Sequence, residues 1–494
     1  MVIAWTITVY YLRSVIAVFQ TWLTTFDFAI VEEAAYRFSR GDILFLSTRG
    51  DHALADNQKY LQFLFGFLNW LHLPQPLSLV LLHTTLGLLT GLLTFFIFRR
   101  RSFSFGLLMA AIVLLHPMLL NMILDFVHSE ILTPIFLLAA YLGWRSKRKW
   151  IFMLFMILTL LVKEDLAFTV FALAFCYALS DFIFQKENLK SWKSIYLFLM
   201  VASIFVFVFD LFVILPIFKE WTCNYLGTPE GIKRMIGHQP ANPWYAYIFE
   251  SPHPVQEALK NICRFKNLLY LIATGAFLWL WSFRSVFFLA LVPGLLLNMM
   301  SWADYQNSIY FHYDHAILAV LIIGIAEASQ KMNLRQNFWR GLLVLIIFIF
   351  APPFFPKQIR MSLFGVNRPE FGEAIPNDEY RTLMWLQKNL PANENIAANY
   401  SFTAYLMPPA NLIFEFPNPY VRHYFGIYFA CEDWKRYEMP DWLILKKDDE
   451  IPLVAVPYVT GFAKFSIGEI EIYSKPEKID RLKNALSNQA HERN

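Results

Sequence analysis

The stretch LSLVLLHTTLGLLTGLLTFFIF, Leu77–Phe98, decides the fold class because it runs for 22 residues without a charged side chain. At about 1.5 Å rise per residue, a helix of this length reaches roughly 33 Å, and a bilayer core is about 30 Å thick. Arg99-Arg100-Arg101 follows directly. Since cytoplasmic loops carry the excess of Lys and Arg, this end of the predicted span is expected inside the cell.

The composition agrees with a chain built from many such segments. Hydrophobic residues make up 57% of the 494 residues, charged residues make up 16%, and Phe occurs 49 times. Globular domains carry about 25% charged residues. These figures exclude a disordered chain, a disulfide-rich secreted scaffold and a nucleic-acid-binding protein. We therefore expect the lipid bilayer, and no nucleic acid, among the partners.

Further apolar segments flank Leu77–Phe98 and raise the predicted total to about eleven spans within a transmembrane domain of residues 1–355. They are Val2–Tyr11, Phe103–Leu124, Ile131–Trp144, Trp150–Val162, Leu166–Phe184, Ser194–Phe218, Leu268–Phe283, Ser285–Met300, Asp314–Ala328 and Phe338–Phe355. No internal repeat is visible in them. The chain is thus predicted to be an α-helical polytopic membrane protein.

The loops between these segments are sorted by charge. With a cytoplasmic N-terminus, each of the five inner loops contains Lys or Arg: Arg99–Ser102, Arg145–Lys149, Gln185–Lys193, the turn at Arg284, and Gln330–Arg340. Residues 23–70 and 219–265 then form outer loops. This pattern predicts a multi-pass membrane protein with its N-terminus inside.

Lys163-Glu164-Asp165 interrupts the apolar run between Trp150 and Phe184. One long helix would place these charges in mid-bilayer, whereas two short helices that meet at them preserve the loop orientation. Thirteen residues give only roughly 20 Å of helix. The turn is therefore predicted to lie below the outer surface, inside protein or in a hydrated space.

The composition changes after Phe355, where Pro352, Pro353 and Pro356 break the helix. Residues 356–475 are predicted to form a small soluble α/β domain outside the membrane, and residues 476–494 a charged tail that is frayed or helical. An amphipathic helix is expected at Tyr380–Asn389. Strands are expected at Asn395–Asn399, Leu412–Phe416 and Trp442–Lys446, with a hairpin of Tyr458–Phe465 and Glu469–Tyr473.

The first outer loop begins with a predicted amphipathic helix on the membrane surface. Apolar residues recur there at spacings of three and four: Phe28, Val31, Ala35 and Phe38. Glu32, Glu33 and Arg37 fall elsewhere on this helix, and Glu33 and Arg37 have the i,i+4 spacing of an ion pair. Arg40-Gly41-Asp42 is expected to end it.

Asp27 stands at the start of this surface helix, close to the membrane. A carboxylate there can deprotonate an acceptor hydroxyl or hold a divalent metal ion. It can equally be a helix N-cap. Asp51 and His52 are candidates for a metal ligand or a substrate contact, with a turn residue and a satisfied interfacial histidine as the alternatives.

Several polar side chains are expected near the outer surface of the bundle. Glu164 and Asp165 are candidate catalytic carboxylates, because acids within the membrane are costly and commonly functional. Lys163 is their counter-charge or binds a donor phosphate. His128, Glu130 and His312 are candidate substrate contacts, or else ordinary loop and interfacial residues. Asp210 is expected to pack against a basic partner.

Several motifs occur in one order along the chain: Phe26-Asp27-Phe28-Ala29-Ile30, Arg40-Gly41-Asp42, Gly50-Asp51-His52, His116-Pro117, Asp125-Phe126-Val127-His128-Ser129-Glu130 and Val162-Lys163-Glu164-Asp165. In these motifs, over about residues 20 to 330, the chain resembles an uncharacterised family of bacterial multispanning membrane proteins. That family is similar in layout to the GT-C glycosyltransferases, which use lipid-phosphate-linked sugars.

The resemblance implies a GT-C-like glycosyltransferase of the bacterial cytoplasmic (inner) membrane. It would take a sugar from a polyprenyl-phosphate donor and give it to an unknown acceptor at the outer face of this membrane. Asp27 would be the base. Phe26 stands where the fuller pattern has a second acid, so a divalent metal at Asp27, Asp51 and His52 is left open. Two alternatives also stay open: a transporter or flippase that uses the intramembrane acids, and a non-catalytic scaffold.

Overall fold

The computed structural model describes residues 26–41, 45–46, 51–54, 59–71, 77–124, 127–184, 186–225, 252–275, 278–301, 315–330, 332–350, 377–391, 394–398, 402, 406, 412–415, 441–447 and 460–492. The N-terminal part begins with helix α1, Phe26–Arg40, and a minimal antiparallel pair of strands, β1 (Phe45–Leu46) and β2 (Asp51–His52). A 3₁₀ helix, Tyr60–Gly66, continues into the short helix α2, Phe67–Trp70.

A helical bundle follows, and most of its first helices have bounds close to those expected. They are α3 (Leu77–Phe98), α4 (Phe103–Leu114), α5 (Pro117–Leu124), α6 (Leu132–Arg145), α7 (Lys149–Leu160), α8 (Leu166–Phe184) and α9 (Lys186–Phe209). Helix α9 differs, because it begins at Lys186, within the segment Gln185–Lys193 that was expected to be a loop. The helices α3 and α8 begin and end where the apolar runs do. A 3₁₀ turn, Ser129–Ile131, leads into α6.

The second half of the bundle is more interrupted. A π-helical turn, Asp210–Ile214, joins α9 to α10 (Leu215–Tyr225). Further along lie α11 (Pro254–Ile262), α12 (Phe265–Gly275), α13 (Trp279–Ser282), a 3₁₀ helix Val286–Leu291, α14 (Val292–Met300), α15 (His315–Gln330) and α16 (Leu334–Phe350).

Among the described residues, three helices are long and apolar enough to cross a bilayer: Ser78–Phe98, Leu166–Phe184 and Trp192–Phe218. A fourth span is possible if Phe103–Leu114 and Pro117–Ile123, which meet at 56°, count as one. The structure thus describes fewer full-length spans than the expected eleven. The exposed side chains of α9 and the π turn are largely apolar. Phe205 is 63% exposed and Phe212 is 69% exposed, which suits contact with lipid.

Two prolines explain where the long apolar runs deviate from straight helices. Proline has no N–H and its ring clashes with the carbonyl four residues earlier. The run Phe103–Leu124, expected as one span, therefore breaks before Pro117. The π turn ends at Ile214, and Pro216 is the second residue of the following helix, α10. Such turns interrupt helices without ending them.

The core of the bundle is aromatic. Trp144, Phe152, Tyr177 and Phe287 are all buried, with ring centroids 4.9 Å apart for Trp144 and Tyr177 and 4.8 Å for Tyr177 and Phe287. At one end of the bundle, three of the Lys/Arg-rich loops meet. The Arg100 guanidinium donates to Ser146 Oγ at 3.1 Å, Arg101 donates to the Gln330 carbonyl at 3.1 Å, and Arg145 donates to Gln330 Oε1 at 2.8 Å.

A small mixed sheet forms the C-terminal part. Its strands are β3 (Asn395–Ala398), β4 (Leu412–Glu415), β5 (Trp442–Lys446), β6 (Ala463–Ile467) and β7 (Ile470–Ser474), in the order β4-β3-β5-β7-β6. β3 runs parallel to β4 and β5, and β7 runs antiparallel to β5 and β6. The hairpin turns at Gly468, whose φ of +61° is a left-handed conformation that favours glycine.

Two helices pack on this sheet: α17, Asn377–Asn389, and α18, Pro476–Glu492. Leu383 and Leu386 of α17 and Ile479 and Leu482 of α18 belong to the same buried core as Ile444 of β5. The expected helix, strands and hairpin are therefore present, and the first hairpin strand lies five residues later than expected. The charged tail is helical through Glu492 and packs against the sheet.

Candidate functional site

The candidate site lies where three separate segments of the chain meet. They are the start of the first 3₁₀ helix at Lys59–Leu61, the segment Val127–Ile131 before α6, and the turn Leu161–Asp165 between α7 and α8. The Leu61 N–H donates to the Leu161 carbonyl at 3.3 Å. This bond fixes the first segment against the third. The break expected at Lys163-Glu164-Asp165 is present and brings its charged residues to this junction.

Glu130 is the centre of the cluster. Its side chain is fully buried, and its Oε1 lies 2.7 Å from Lys59 Nζ and 4.0 Å from Lys163 Nζ. Its other oxygen, Oε2, accepts a hydrogen bond from Ser129 Oγ at 3.3 Å and lies 3.8 Å from His128 Nδ1. A buried carboxylate is tolerated when cations and donors surround it in this way. Two ammonium groups, those of Lys59 and Lys163, therefore lie close to the same oxygen, Glu130 Oε1.

Lys163 connects Glu130 to the second carboxylate of the cluster. Its Nζ lies 3.4 Å from Asp165 Oδ2. The Lys163 side chain is 4% exposed and the Asp165 side chain is 37% exposed, so Asp165 is the partner that reaches solvent. Glu164 is partly buried and its charge acts on Tyr60. The structure therefore brings together His128, Glu130, Lys163 and Asp165, with Glu164 near them.

Tyr60 links this cluster to the long helix α9. Its hydroxyl donates to Asp210 Oδ1 at 2.5 Å, and Asp210 is buried at the start of the π turn. Burial raises the pKa of Tyr60, and the hydrogen bond to Asp210 raises it further. Tyr60 is thus held as a neutral donor. Asp210 was expected to pack against a basic partner, and the partner found among the described residues is the phenol of Tyr60.

His52 lies in an aromatic environment. Its ring stacks on Phe218 with centroids 4.1 Å apart and meets the edge of Trp221 at 5.0 Å. Its Nδ1 accepts a hydrogen bond from the Leu54 N–H at 3.1 Å. Burial lowers the pKa of His52 to about 4, so the ring is neutral at physiological pH.

A metal ion at His52 is chemically compatible with these contacts. Neutral imidazole is the form that binds metals, and with Nδ1 engaged only Nε2 can coordinate. Among the residues that the structure describes, no group of three or more His, Cys, Asp or Glu side chains is arranged to hold a metal. The other two candidate ligands, Asp27 and Asp51, have their backbone in α1 and β2, and their side chains lie outside the described residues.

Helix α1 itself agrees with the predicted amphipathic helix in part. It ends at Arg40, and Arg37 pairs with Glu33 at 2.7 Å. The polar side is not open to water, however. Glu32 is fully buried, and neither of its oxygens has a hydrogen-bond partner within the described part of the chain. Burial raises the pKa of this carboxyl well above its usual range.

Other expectations fall outside the described residues. His312 lies there, as does the first predicted span Val2–Tyr11. His315, which ends the same aromatic-rich motif as His312, is buried at the start of α15. Cys263 is a free, exposed thiol, and the Cys223 side chain is outside the described residues.

Two residues of the cluster, Lys59 and Tyr60, were not identified from the sequence. One signal could have revealed Lys59: it is a lysine that directly precedes the apolar stretch Tyr60–Trp70 in a predicted outer loop, against the usual charge bias. Nothing in the sequence pairs Tyr60 with Asp210, which is 150 positions away.

Comparisons with known proteins give one clear relationship. A search of curated protein sequences finds no match. Among solved structures, ArnT from Cupriavidus metallidurans bound to undecaprenyl phosphate has 10% sequence identity and a TM-score of 0.49, covering 95% of this chain and 97% of that chain. Arabinofuranosyltransferase AftD from Mycobacteria has 14% identity and a TM-score of 0.41, covering 95% of this chain and 41% of that chain.

The family profile matches far more of the sequence than any single motif does. The profile of DUF2079, described as a predicted membrane protein, matches residues 18–451. That range includes α1, the Glu130 cluster, the whole helical bundle and part of the C-terminal sheet. This chain belongs to the DUF2079 family of membrane proteins.

Proposed function

We propose that this chain is an integral-membrane glycosyltransferase. It transfers a sugar from a polyprenyl-phosphate donor to a hydroxyl acceptor at the outer face of the cytoplasmic membrane. The observation that supports this best is the convergence of two ammonium groups on one point, since Lys59 Nζ and Lys163 Nζ both lie within 4.0 Å of Glu130 Oε1. Two lysines from segments about a hundred residues apart are suited to a phosphate group next to the lipid.

The phosphate is the leaving group of such a reaction, and its negative charge grows as the bond to the sugar breaks. Ammonium groups fixed beside it stabilise that charge more in the transition state than in the bound donor. Lys59 and Lys163 have this role in the proposal. Glu130 holds the two lysines close together while the donor is absent, and His128 and Ser129 hold Glu130.

The acceptor needs a base. A carboxylate takes the proton of the acceptor hydroxyl, the acceptor oxygen forms a bond to the anomeric carbon, and the bond between that carbon and the phosphate oxygen breaks. Polyprenyl phosphate leaves with the electron pair. Asp27 is the base implied by the family resemblance, and Asp165, which is partly exposed beside Lys163, is the second candidate together with Glu164. His52, Asp51 and His312 are proposed to contact the acceptor or the sugar.

The proposed topology has about eleven spans, a cytoplasmic N-terminus and the C-terminal sheet outside, where it helps select the acceptor. Two groups of contacts support it. Three loops assigned to the inside by their charge are hydrogen-bonded to one another, through Arg100, Arg101 and Arg145. The segments assigned to the outside meet at Glu130.

The test uses membranes that contain the protein, incubated with labelled polyprenyl-phosphate sugars. We expect transfer by the wild type and a loss of at least tenfold in Lys59→Gln, Lys163→Gln and Asp27→Asn, since a charged group in a transition-state contact contributes on the order of tenfold to a thousandfold. Lys260→Gln is the matched control, because Lys260 is an exposed lysine paired with Glu257. Chelation of divalent ions in the same assay tests the proposed metal.

Unchanged transfer in all three site variants, at equal expression, would remove these residues from the mechanism. A transporter or flippase built on the same acids would move the labelled lipid across proteoliposomes without transferring its sugar. A scaffold would do neither. Either of these two results would overturn the proposal.

A further inference from the structure

We propose that Tyr60 and Asp210 form a positioning pair for Lys59. In this pair, the π-helical turn Asp210–Ile214 of the long helix places the Asp210 carboxylate where it accepts the hydrogen bond from Tyr60. The proposal rests on the function proposed above insofar as Lys59 binds the donor phosphate. It adds two residues that act through Lys59 and do not themselves touch the substrate.

The first step is the geometry of the pair. Tyr60 directly follows Lys59, and its hydroxyl is 2.5 Å from Asp210 Oδ1. Asp210 is 2% exposed, and its Oδ2 has no hydrogen-bond partner among the residues that the structure describes. A buried carboxylate with so few donors depends strongly on each one. The tyrosine hydroxyl is therefore a strong anchor for the chain at residue 60.

The second step is the origin of the Asp210 position. A regular helix would continue through residues 210–214, but Pro216 removes one backbone hydrogen bond and crowds the carbonyl of Phe212. The helix widens to the π form there and continues through α10. Widened turns of this kind recur at functional sites. Here the widened turn begins at the residue that accepts the Tyr60 hydrogen bond.

The third step is the other anchor of the same short segment. On the far side of Tyr60, the Leu61 N–H is bound to the Leu161 carbonyl at 3.3 Å, in the turn that carries Lys163. Lys59 is thus attached through its neighbours to the long helix and to the second lysine. Lys59 Nζ is 2.7 Å from Glu130 Oε1, and Lys163 Nζ is 4.0 Å from the same oxygen. Because Tyr60 and Leu61 are held by Asp210 and Leu161, these two hydrogen bonds set the separation of the lysines.

The first experiment needs no ligand. Purified protein is labelled with an amine-acylating reagent at fixed pH, and the labelling rate of Lys59, whose side chain is 13% exposed, is followed by mass spectrometry. We expect Tyr60→Phe and Asp210→Leu to raise the rate about tenfold, as the loss of a hydrogen bond to a charged group allows. Asp210→Asn keeps an acceptor oxygen and is expected to stay near the wild type.

Tyr141→Phe is the matched control. The Tyr141 hydroxyl also donates to a carboxylate, Glu327 Oε1 at 2.7 Å, but Tyr141 lies near the C-terminal end of α6, whereas the Glu130 cluster precedes the start of that helix. We expect no change in Lys59 labelling in this variant. An unchanged rate in Tyr60→Phe would overturn the positioning pair. An equal rise in Tyr141→Phe would do the same, because it would show general loosening of the fold.

The second experiment measures binding of undecaprenyl phosphate to the protein in lipid nanodiscs as a double-mutant cycle. We expect Tyr60→Phe to weaken binding about fivefold in the wild-type background and to have no effect in Lys59→Gln, because the tyrosine acts through that lysine. Independent, additive effects would overturn the proposal. If neither the wild type nor any variant binds the lipid, the proposed function fails, and the labelling result still decides whether Tyr60 and Asp210 position Lys59.

Discussion

At the residue scale, two buried carboxyl groups have opposite surroundings. Glu130 and Glu32 are both 0% exposed. Glu130 has two lysines and a serine hydroxyl around it, whereas Glu32 has no hydrogen-bond partner in the described part of the chain. Burial without partners therefore opposes the ionisation of Glu32. Glu130, beside Lys59 and Lys163, is suited to hold cations, whereas Glu32 is suited to hold a proton.

Glu32 makes the stability of the protein depend on pH. Its pKa is raised in the folded protein, so the folded state keeps the proton at pH values where the unfolded chain releases it. Stability then falls as the pH rises above the usual glutamate value of about 4.3, by up to about 1.4 kcal/mol per pH unit, until the folded-state pKa is reached. We expect Glu32→Gln to remove this slope, which thermal unfolding at pH 5 and pH 8 measures.

Glu33→Gln is the control for Glu32→Gln, since it lies next to it on the same helix. It breaks the pair with Arg37 and leaves Glu32 in place. We expect this variant to keep the pH slope of the wild type. An identical slope in Glu32→Gln and the wild type would contradict the inference that Glu32 stays protonated.

At the element scale, the site depends on interruptions of the helices. The turn Leu161–Asp165, the 3₁₀ helix Tyr60–Gly66 and the π turn at Asp210 each replace regular helix with a short irregular segment. An uninterrupted helix forms its own backbone hydrogen bonds and presents side chains at fixed intervals. The irregular segments place Lys59, Tyr60 and Lys163 at one point, which regular helices crossing a membrane would not do.

One of these contacts depends on a glycine. A Cβ added at Gly66 would lie 2.7 Å from the Ala35 carbonyl oxygen of α1, which is too close for any real contact. We expect Gly66→Ala to separate the 3₁₀ helix from α1 and to destabilise the protein by about 1–3 kcal/mol. The melting temperature of the purified protein measures this change.

Gly294→Ala is the matched control for Gly66→Ala. Gly294 lies within helix α14, and the nearest atom to its added Cβ is a flexible isoleucine side chain at 3.4 Å. Alanine in a helix is more favourable than glycine by roughly 0.5–1 kcal/mol. We expect a neutral or slightly stabilising effect. Equal melting temperatures for the two variants would contradict the close approach at Gly66.

The C-terminal helix α18 depends on a second charge cluster. Lys478 Nζ lies 2.6 Å from Asp441 Oδ1 and 2.9 Å from Glu394 Oε1. Burial alone would raise the pKa of Asp441, but the Lys478 ammonium and the Asn395 N–H outweigh burial and lower it. The pKa of Lys478 is raised by the same two carboxylates against the effect of burial.

These shifts define a window of stability for the C-terminal sheet. The Asp441 contribution is present above the usual value of about 3.9 and disappears as the pH falls through the lower folded value, and the Lys478 contribution disappears as the pH rises above about 10.4. We expect Lys478→Gln to cost about 1–2 kcal/mol between these limits. Hydrogen exchange of β7 measures it, with the exposed Lys483→Gln as a control that should leave exchange unchanged.

At the scale of the whole molecule, the sequence predicted the parts that periodicity and length determine. Leu77–Phe98 and Leu166–Phe184 have the expected bounds, and the chain breaks at Lys163-Glu164-Asp165 as expected. The bend before Pro117 and the burial of Glu32 were not predicted. The hydrophobic pattern describes one face of one element, and the burial of Glu32 depends on what other elements pack against its helix. The bend follows from Pro117 itself, which lies inside the expected span.

Several charged residues of the candidate site were predicted from the sequence, but the sequence did not predict which residues would lie together. Glu130, Lys163 and Asp165 were recognised because charges in an apolar sequence are costly and conspicuous. Lys59 and Tyr60 lie in an ordinary polar-to-apolar junction, and their importance comes from contacts with Glu130 and Asp210 far along the chain. Such long-range pairs leave no periodic signal in a single sequence.

The proposed topology can be tested with a cysteine that the chain already contains. Cys263 is exposed and free, and it lies in the loop 219–265 that is assigned to the outside, while Cys176 is buried in the bundle. We expect a membrane-impermeant thiol reagent to label the Cys263 peptide in intact cells without prior reduction, as mass spectrometry measures, and Cys263→Ser to lose the label at this position while any label at Cys223 or Cys431 remains. Labelling only in inverted membranes would reverse the orientation, and labelling only after reduction would indicate a disulfide with Cys223.

The bond between Leu61 and Leu161 also bears on how the protein is made. Its two residues are 100 positions apart in the chain. At about 5–20 residues per second, a ribosome needs about 5–20 s to add the residues between them. During this time the segment around Lys59 has been synthesised without its partner. The site therefore assembles only after α7 has emerged, and chains truncated before residue 161 are expected to leave the first outer loop open to proteases.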